Sequence, residues 1–352
     1  MKIAVFMPNW VGDVVMATPT LRALRDLYQE ARIFGVLKPG LTDLLYGNPN
    51  VDELLPCDHR SKDAAHHPWN VVKRMRRERF DVGVLLTNSL RSALLAWAAK
   101  VKRRVGYARD GRSLLLHDRL TAERAKRGWK PAPVIDYYLK LTYHLGAKTT
   151  SYQMDLFTSA ADESAADVAW RRCGFSPLDR VVVLNPGAAF GPSKRWPSDS
   201  FAELARRLAG HDLRVLVICG PSEVGFARYI ADAAARPRAV KSLADVPPSL
   251  GLTKAIIKRC ALLVSTDSGP RHFAPAFGRP VVALFGSTHQ AWTETYFPGE
   301  LRLQREVACG PCQQRVCPLG HHRCMTELSV DDVFAACLKS LGLGGVRPRR
   351  VA

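Results

Sequence analysis

Val264 to Gly286 reads VSTDSGPRHFAPAFGRPVVALFG: an acidic turn between two apolar strands, with a helix opening at the turn. Asp267 and Ser268 are helix-capping residue types, Gly269 lets the backbone approach a ligand closely, and Pro270 suits a first helical position, where no hydrogen bond is lost. N–H groups left unpaired at such an end favour an anion, phosphate above all, and Arg271 and His272 add cationic or hydrogen-bonding reach. The same stretch also reads as an ordinary capped strand-to-helix connection, so the remainder of the chain must choose between them.

Outward from this turn the pattern repeats. Strand-like apolar runs fall at Lys2 to Phe6, Arg32 to Val36, Val82 to Leu86, Val181 to Asn185, Leu213 to Cys219, Leu262 to Ser265 and Val281 to Phe285. Between most of them lie helical patterns: Leu21 to Tyr28, Ser89 to Ala99, Ile135 to Leu145, Phe201 to Ala209, Phe226 to Ala235 and Leu252 to Cys260. Such alternation predicts an α/β fold of parallel sheets covered by helices on both faces. The polar stretch from Thr158 to Asp167 reads as the link between two doubly wound halves, which places the domains at 1–165 and 166–352. Ligands of such sheets sit at the carboxyl ends of strands, which directs attention to the loops after Phe6, Asn185, Cys219 and Ser265.

At 352 residues and 47% hydrophobic content the chain has material for two cores and a globular composition. No apolar run approaches the roughly 20 residues that span a bilayer, and Pro8, Asn9 and Asp13 interrupt the apolar start, so a cytoplasmic location is expected. A net charge of +19 calls for an acidic partner: nucleic acid, an anionic membrane face or a phosphorylated substrate. The cations cluster in the first half, at Arg60, Lys62, Lys73, Arg74, Arg76, Arg77 and Arg79 and again at Lys100, Lys102, Arg103, Arg104, Arg109 and Arg112. Those clusters also suit solvated helix faces and loops. No GxGxxG follows the first strand, and neither GxxxxGK[ST] nor GxSxG occurs, which counts against dinucleotide, P-loop and serine-hydrolase readings.

Three loops can carry chemistry. After the first strand, Asp13 stands among Trp10, Val11, Val14 and Val15, a setting that raises a carboxyl pKa and suits a general base, although Asp also serves as a helix N-cap. In NPGAAFGPSKRWPSDSF, the small turn Gly187, Ala188, Ala189 lies beside Lys194 and Arg195, a pairing suited to a diphosphate. In CGPSEVGF, Glu223 can accept from sugar hydroxyls or simply start a helix. No Asp-x-Asp is present to hold a divalent ion on a nucleotide-sugar diphosphate, so protein cations would have to do that work. Separately, Cys309, Cys312, Cys317 and Cys324, with His321 and His322 nearby, offer soft ligands for structural zinc or an iron–sulfur cluster, or else are reduced thiols or a disulfide.

NWVGDVVMATPTLRALR at the start, NPGAAFGPSKRWP in the middle and STDSGPRHFAPAFGRPVVALFG late in the chain together resemble the lipopolysaccharide heptosyltransferases of glycosyltransferase family 9. The opening NWVGD and the middle FGPSKRWP look more like the enzymes that add the second heptose than those that add the first. This resemblance covers nearly the whole chain. It implies a GT-B fold, with two Rossmann-like domains facing across a cleft, the donor ADP-L-glycero-β-D-manno-heptose in the C-terminal domain and the acceptor in the N-terminal one. It also implies inverting transfer of heptose to the first heptose of the Kdo-lipid A inner core, with no metal or other cofactor required. By resemblance Asp13 matches the general base, Lys194 the lysine at the donor phosphates, Glu223 the carboxylate near the ribose, and Asp267 and His272 the acidic-turn residues of the donor pocket. Gly187, Ala188, Arg195, Ser268 and Gly269 complete the expected donor set.

Asn88, Ser89 and Arg91, just past the third apolar strand, together with Arg60, are the expected acceptor contacts. An acceptor with Kdo carboxylates and lipid A phosphates would draw the basic first half to the inner face of the inner membrane. Two rival readings remain: a family 9 transferase with another sugar or acceptor, and a nucleic-acid-binding protein suggested by charge and cysteines. The donor-type loops argue against the latter, so nucleic acid is not an expected partner.

Overall fold

The computed structural model describes residues 1–125, 129–148 and 151–343. Twelve named strands form two sheets. The first contains β1 (Lys2–Phe6), β2 (Arg32–Leu37), β3 (Glu53–Pro56), β4 (Val82–Leu85), β5 (Arg103–Tyr107) and β6 (Asp118–Leu120). The second contains β7 (Val181–Asn185), β8 (Arg214–Val217), β9 (Val240–Ser242), β10 (Leu262–Thr266), β11 (Val281–Phe285) and β12 (Glu300–Gln304). Their orders are β3-β2-β1-β4-β5-β6 and β12-β11-β10-β7-β8-β9, the same winding twice when the second is read from its other edge. Every pairing is parallel, as the βαβ alternation requires.

The chain divides into two compact units, one comprising Met1–Phe157 with Ala291–Thr295, the other Thr158–Gln290 with the chain from Tyr296 onward. The polar stretch read as a link is instead largely helix, Ala160–Arg172, opened by a capping box in which Ser159 and Asp162 satisfy each other's backbone N–H. Its apolar side is narrow, with Ala166, Ala169 and Trp170 buried, and Glu163 on its polar side binds Lys258 and Arg259. Those ion pairs tie the helix to the second unit, so the division falls ahead of it rather than inside it, at 157/158 rather than 165/166.

Each unit has its own core. In the first, Ala4, Phe6, Phe34, Val36, Leu85, Ala93 and Ala96 pack together, with Phe34 edge-on to Phe80 at 4.9 Å. In the second, Val182, Leu184, Val215, Val264, Val282 and Leu284 meet Phe201, Leu204, Ala227 and Ile230 from helices Ser198–Ala209 and Val224–Ala233. Burying side chains of this size stabilises by about 1.5–3 kcal/mol each. The central strands are continuous apolar runs and were therefore readable. Edge strands such as β6 (DRL) and β12 (ELRLQ), and β5 (RRVGY) next to the edge, carry charged residues and alternate too weakly to announce themselves. No helix among the described residues is long and apolar enough to cross a membrane.

In both sheets the winding reverses beside the first strand of the unit, between β1 and β4 and between β7 and β10. A crevice for ligands opens at the carboxyl ends of strands at such a reversal. The loops after β1 and β4 carry Asp13 and Asn88 to Arg91; those after β7 and β10 carry Gly187 to Arg195 and Asp267 to His272.

Candidate active site

At the reversal in the second unit, Asp267 follows β10 and is 4% exposed, Lys194 is 9% exposed and Arg271 is fully buried. Lys194 Nζ donates to Asp267 Oδ2 at 2.6 Å and to the Asp267 carbonyl at 2.9 Å. The other carboxylate oxygen accepts from Arg271 Nη1 at 2.8 Å, and Thr288 Oγ1 donates to Oδ2 at 2.7 Å. Behind them, Arg271 Nε lies 2.8 Å from Glu300, which also pairs with Arg302 at 3.0 Å. Burial alone would raise the Asp267 carboxyl, but Lys194 and Arg271 hold it well below the usual carboxylate range, so it is ionised.

These contacts revise the reading of the turn. Asp267 and Ser268 make no side-chain cap, and the turn opens only a 3-10 segment, Gly269–His272, followed by the single helical turn Phe273–Ala276. So short a helix has little dipole to offer. The positive field comes from side chains instead: of these five buried or half-buried groups, Lys194, Arg271 and Arg302 outnumber Asp267 and Glu300. Asp267 is thus a holder of cations. An ammonium carries three donors, and the two that Lys194 spends on Asp267 leave one to offer a ligand.

His272 is buried, and burial followed by the Arg271 cation pushes its pKa well below the ordinary imidazole value, which makes it neutral. Its Nδ1 has no hydrogen-bond partner among the described residues. Ser268 is tied to β7 through Asn185, whose Nδ2 donates to Ser265 Oγ at 2.9 Å and Ser268 Oγ at 2.8 Å.

Glu223 is also buried. Its two oxygens accept from the backbone N–H groups of Ala188 (3.0 Å) and Gly220 (2.9 Å), stapling the loop after β7 to the loop after β8. A Cβ at Gly187 would lie 2.3 Å from a Glu223 oxygen, so a larger residue there would displace that carboxylate. Glu223 does precede helix Val224–Ala233, but its side chain does not cap it. Arg195 parts company with Lys194, its guanidinium lying over the Phe226 ring at 4.8 Å. The two adjacent cations therefore do not act as a pair.

The cysteine-rich segment packs directly against the Lys194 loop. Ser193 Oγ lies 2.9 Å from Ser287 Oγ and its backbone N–H donates to the Arg315 carbonyl at 3.1 Å. Gly191, at φ +156°, brings its Cα against that same carbonyl, where a Cβ would stand 2.4 Å away. Cys309, Cys312, Cys317, Cys324, His321 and His322 line one small cavity with Ser193 and Ser287, and all nine cysteines are free, so no disulfide forms. Backbone N–H groups, that of His322 foremost, draw the Cys317 thiol pKa down, while burial and then the neighbouring Cys312, Cys309 and Cys317 push that of Cys324 up. Among the described residues no group of three or more His, Cys, Asp or Glu is placed to hold a metal ion.

In the first unit Asp13 is the third residue of helix Val11–Met16, whose N-cap position is Trp10, so Asp13 lies in the first turn and is not the cap. It is half-buried, and the buried Tyr138 hydroxyl feels its charge after the larger effect of its own desolvation. A separate cavity of about 560 Å³ opens at the ends of β1 to β4; Arg60, Ser89 and Arg91 line it, joined by Lys38, His59 and Asn9. Arg91 Nη1 lies 2.7 Å from His59 Nδ1. Asn88 is not among the lining residues. Its Oδ1 accepts from Arg112 Nη2 at 3.2 Å and Tyr137 OH at 3.0 Å, behind the loop.

Arg112 is fully buried with no carboxylate partner among the described residues; it donates to the Tyr107 carbonyl at 3.0 Å and also to the Thr87 carbonyl. Desolvation lowers its pKa to about 10, still protonated at neutral pH. Sequence reading placed Arg112 only within a basic cluster and did not single out Lys38 or His59. Lys38 follows the end of β2 and was findable by the strand-end rule; Arg112 left no such signal.

The profile of Glycosyltransferase family 9 (heptosyltransferase) matches residues 69–323, well over half of the chain. The chain belongs to glycosyltransferase family 9. Among its relatives, Lipopolysaccharide heptosyltransferase 2 of Escherichia coli (strain K12) is 29% identical over 306 residues, covering 83% of this chain and 85% of that protein. A Lipooligosaccharide heptosyltransferase 2 of Campylobacter jejuni is 24% identical over 342 residues, covering 95% and 96%. The solved structure of E. coli ADP-heptose LPS heptosyltransferase II superposes with a TM-score of 0.80 at 25% identity, covering 98% of this chain and all of that one. The family 9 member described here is thus a glycosyltransferase of the GT-B fold class, with two Rossmann-like sheets of the same winding.

Proposed function

We propose that this family 9 enzyme transfers L-glycero-D-manno-heptose from ADP-heptose to the first heptose of the lipopolysaccharide inner core, with inversion at the anomeric carbon. The observation that carries this reading is the buried Lys194–Asp267 pair, backed by Arg271, at the strand reversal of the second unit. A diphosphate that leaves as ADP gains negative charge in the transition state, and a preorganised, desolvated cation stabilises that charge without reorganisation. Lys194 offers its remaining N–H to a phosphate oxygen, the backbone at Gly187, Ala188, Ser268 and Gly269 lies around the same loops, and neutral His272 supplies hydrogen bonding without charge. Glu223 keeps the Ala188 turn in place and has lone pairs left for ribose hydroxyls. Arg195 on Phe226 contributes at the margin of that pocket.

Asp13 takes the proton of the acceptor hydroxyl as its oxygen attacks the anomeric carbon; the C–O bond to ADP breaks and its electron pair leaves with the diphosphate. Arg60, Ser89 and Arg91, with Lys38 and His59, hold the anionic inner-core saccharide, and Asn88 supports them from behind. Protein cations carry the charge that a metal would otherwise offset, so no resident cofactor is assigned to the transfer. Any zinc or iron–sulfur centre at Cys309, Cys312, Cys317 and Cys324 would need those side chains to rearrange, and its role would be to brace the Lys194 loop. The basic first unit suits peripheral work at the cytoplasmic face of the inner membrane.

Incubation with ADP-heptose and defined core acceptors, with product mass as readout, tests this directly. A mass gain of one heptose only on the mono-heptosylated acceptor is expected; transfer of another sugar or to another acceptor would move the protein elsewhere within family 9. Membership of family 9 favours the transferase reading over the nucleic-acid reading that charge and cysteines suggested.

A further inference from the structure

Helices Pro68–Glu78 and Leu90–Ala98 lie side by side in the first unit, joined by Arg76 Nε donating to the Ala98 carbonyl at 2.6 Å. Each buries one face in the core, through Val71, Val72 and Met75 on the first and Ala93 and Ala96 on the second. What they turn to solvent is unusual. Trp69 is 55% exposed and Trp97 57%, with Leu90 and Leu94 each at 44%. Leu90, Leu94 and Trp97 follow helical spacing along one outer stripe, and Trp69, Lys73, Arg76 and Arg77 do the same on the neighbouring helix. Arg76 covers the Trp69 ring at 5.9 Å.

Two large aromatics beside lysines and arginines, outside a well-packed core, are the composition of a surface that enters a lipid headgroup layer. The charge is one-sided. Glu78 is the only acidic residue on either helix and its carboxylate is 2.7 Å from Lys2 Nζ, whereas Lys73 and Arg77 have no ion pair among the described residues. A second copy of this chain docked through the same face would bring like charges together, which disfavours a symmetric dimer there. The same two helices also border the 560 Å³ cavity: Pro68 opens the first, Ser89 caps the second, and Arg91, Ser92 and Leu95 lie on the side of the second helix away from Leu90, Leu94 and Trp97; all five line that cavity.

We propose that the outer face formed by Trp69, Lys73, Arg76, Arg77, Leu90, Leu94 and Trp97 is the seat of this protein on an anionic lipid bilayer. Resting on the functional reading above, this places the saccharide of a lipid-anchored acceptor in the adjoining cavity while its acyl chains stay in the membrane. The indoles and leucines enter the headgroup boundary and the cations meet lipid phosphates. Attachment thus selects both the lipid and the orientation from which the acceptor enters.

Co-sedimentation with phosphatidylglycerol–phosphatidylcholine vesicles and with phosphatidylcholine vesicles, at low and high salt, tests the proposal. Wild-type protein is expected to prefer the anionic vesicles and to lose that preference in salt. Trp69→Ser with Trp97→Ser should weaken partition roughly tenfold or more, since two interfacial anchors are removed. Lys73→Glu with Arg77→Glu should remove the preference for anionic vesicles. All four positions are solvent-exposed, and unchanged circular dichroism and melting temperature verify the fold.

The double tryptophan variant should transfer heptose to a deacylated, water-soluble acceptor as wild type does. Variants that sediment like wild type, wild-type protein that binds neither vesicle, or a wild-type dimer that the tryptophan substitutions dissociate would each overturn the lipid seat. Vesicle binding as expected but no transfer to the soluble acceptor would instead remove the functional reading and leave the lipid surface standing.

Discussion

The two units wind their strands in the same order, yet the sites at their strand reversals are built on opposite principles. In the second unit the charged groups are inside: Lys194, Asp267 and Arg271 lock one another in position with little solvent access. In the first, Arg60 and Arg91 line an open cavity and Asp13 is half-buried on a short helix. Topology chose where each site lies; burial decided how stiff it is. On the function proposed above, a compact diphosphate would meet fixed cations whose desolvation strengthens every interaction, whereas the acceptor saccharide would meet long side chains that adjust.

The sharpest way to break this comparison is to disable one unit and read the other. Asp13→Asn should slow transfer roughly a thousandfold, the range of a lost general base, with ADP affinity measured by calorimetry nearly unchanged. Loss of ADP binding in that variant would mean the carboxylate serves the donor instead. Lys194→Ala should weaken ADP binding on the order of 100-fold and destabilise by about 2–3 kcal/mol, because Asp267 loses a buried partner. Wild-type kinetics would reduce the lysine to a packing residue.

Protonation sharpens the contrast in a second way. His272 has a folded pKa below its unfolded value, so the unfolded chain binds the extra proton; its contribution is present above about pH 6.5 and is lost as pH falls. Wild-type stability should therefore drop with acidification by up to about 1.4 kcal/mol per pH unit more than that of His272→Gln, measured by urea unfolding between pH 7 and about 5. Parallel curves for the two proteins would show that the imidazole is not held neutral. The smallest effect is expected behind the first unit's cavity. Tyr137→Phe removes one hydrogen bond to Asn88 and should cost about 1 kcal/mol, raising KM for the acceptor a few-fold while KM for ADP-heptose stays put. An equal change in both would deny the separation of the two sites.

Much of the architecture was legible along the chain. The buried strands β1, β7, β10 and β11 are largely apolar runs, and strand-end loops in an alternating chain are where ligands bind, which singles out Asp13, Lys194, Glu223 and Asp267 from the sequence alone. Edge strands were less visible because few of their residues are fully buried and several are charged. The stretch from Thr158 to Asp167 looked like a linker because its polar residues outnumber the three that helix Ala160–Arg172 buries.

The donor residues show the other limit. Asp267 and Glu223 stand at strand ends as expected, and the fold adds to each a holding role that the sequence did not announce. In the fold their oxygens are taken by Lys194, Arg271 and Thr288 and by the N–H groups of Ala188 and Gly220. Asn88 likewise turned away from the cavity that Ser89 and Arg91 line, toward an arginine whose importance lies in its burial.

Apolar period, a local property of the chain, was enough by itself to determine the α/β class, and three motifs in order carried the resemblance to family 9 that the profile match bears out. Side-chain direction belonged to the tertiary structure. Lys194 and Asp267 are 73 positions apart, and Ala188 and Glu223 are 35 apart, so only parallel packing of β7, β8 and β10 brings them within 3 Å. A carboxylate taken from water must find its partners wherever the fold places cations and N–H donors, and that search, not local pattern, decided which residues face a ligand and which hold the others in place.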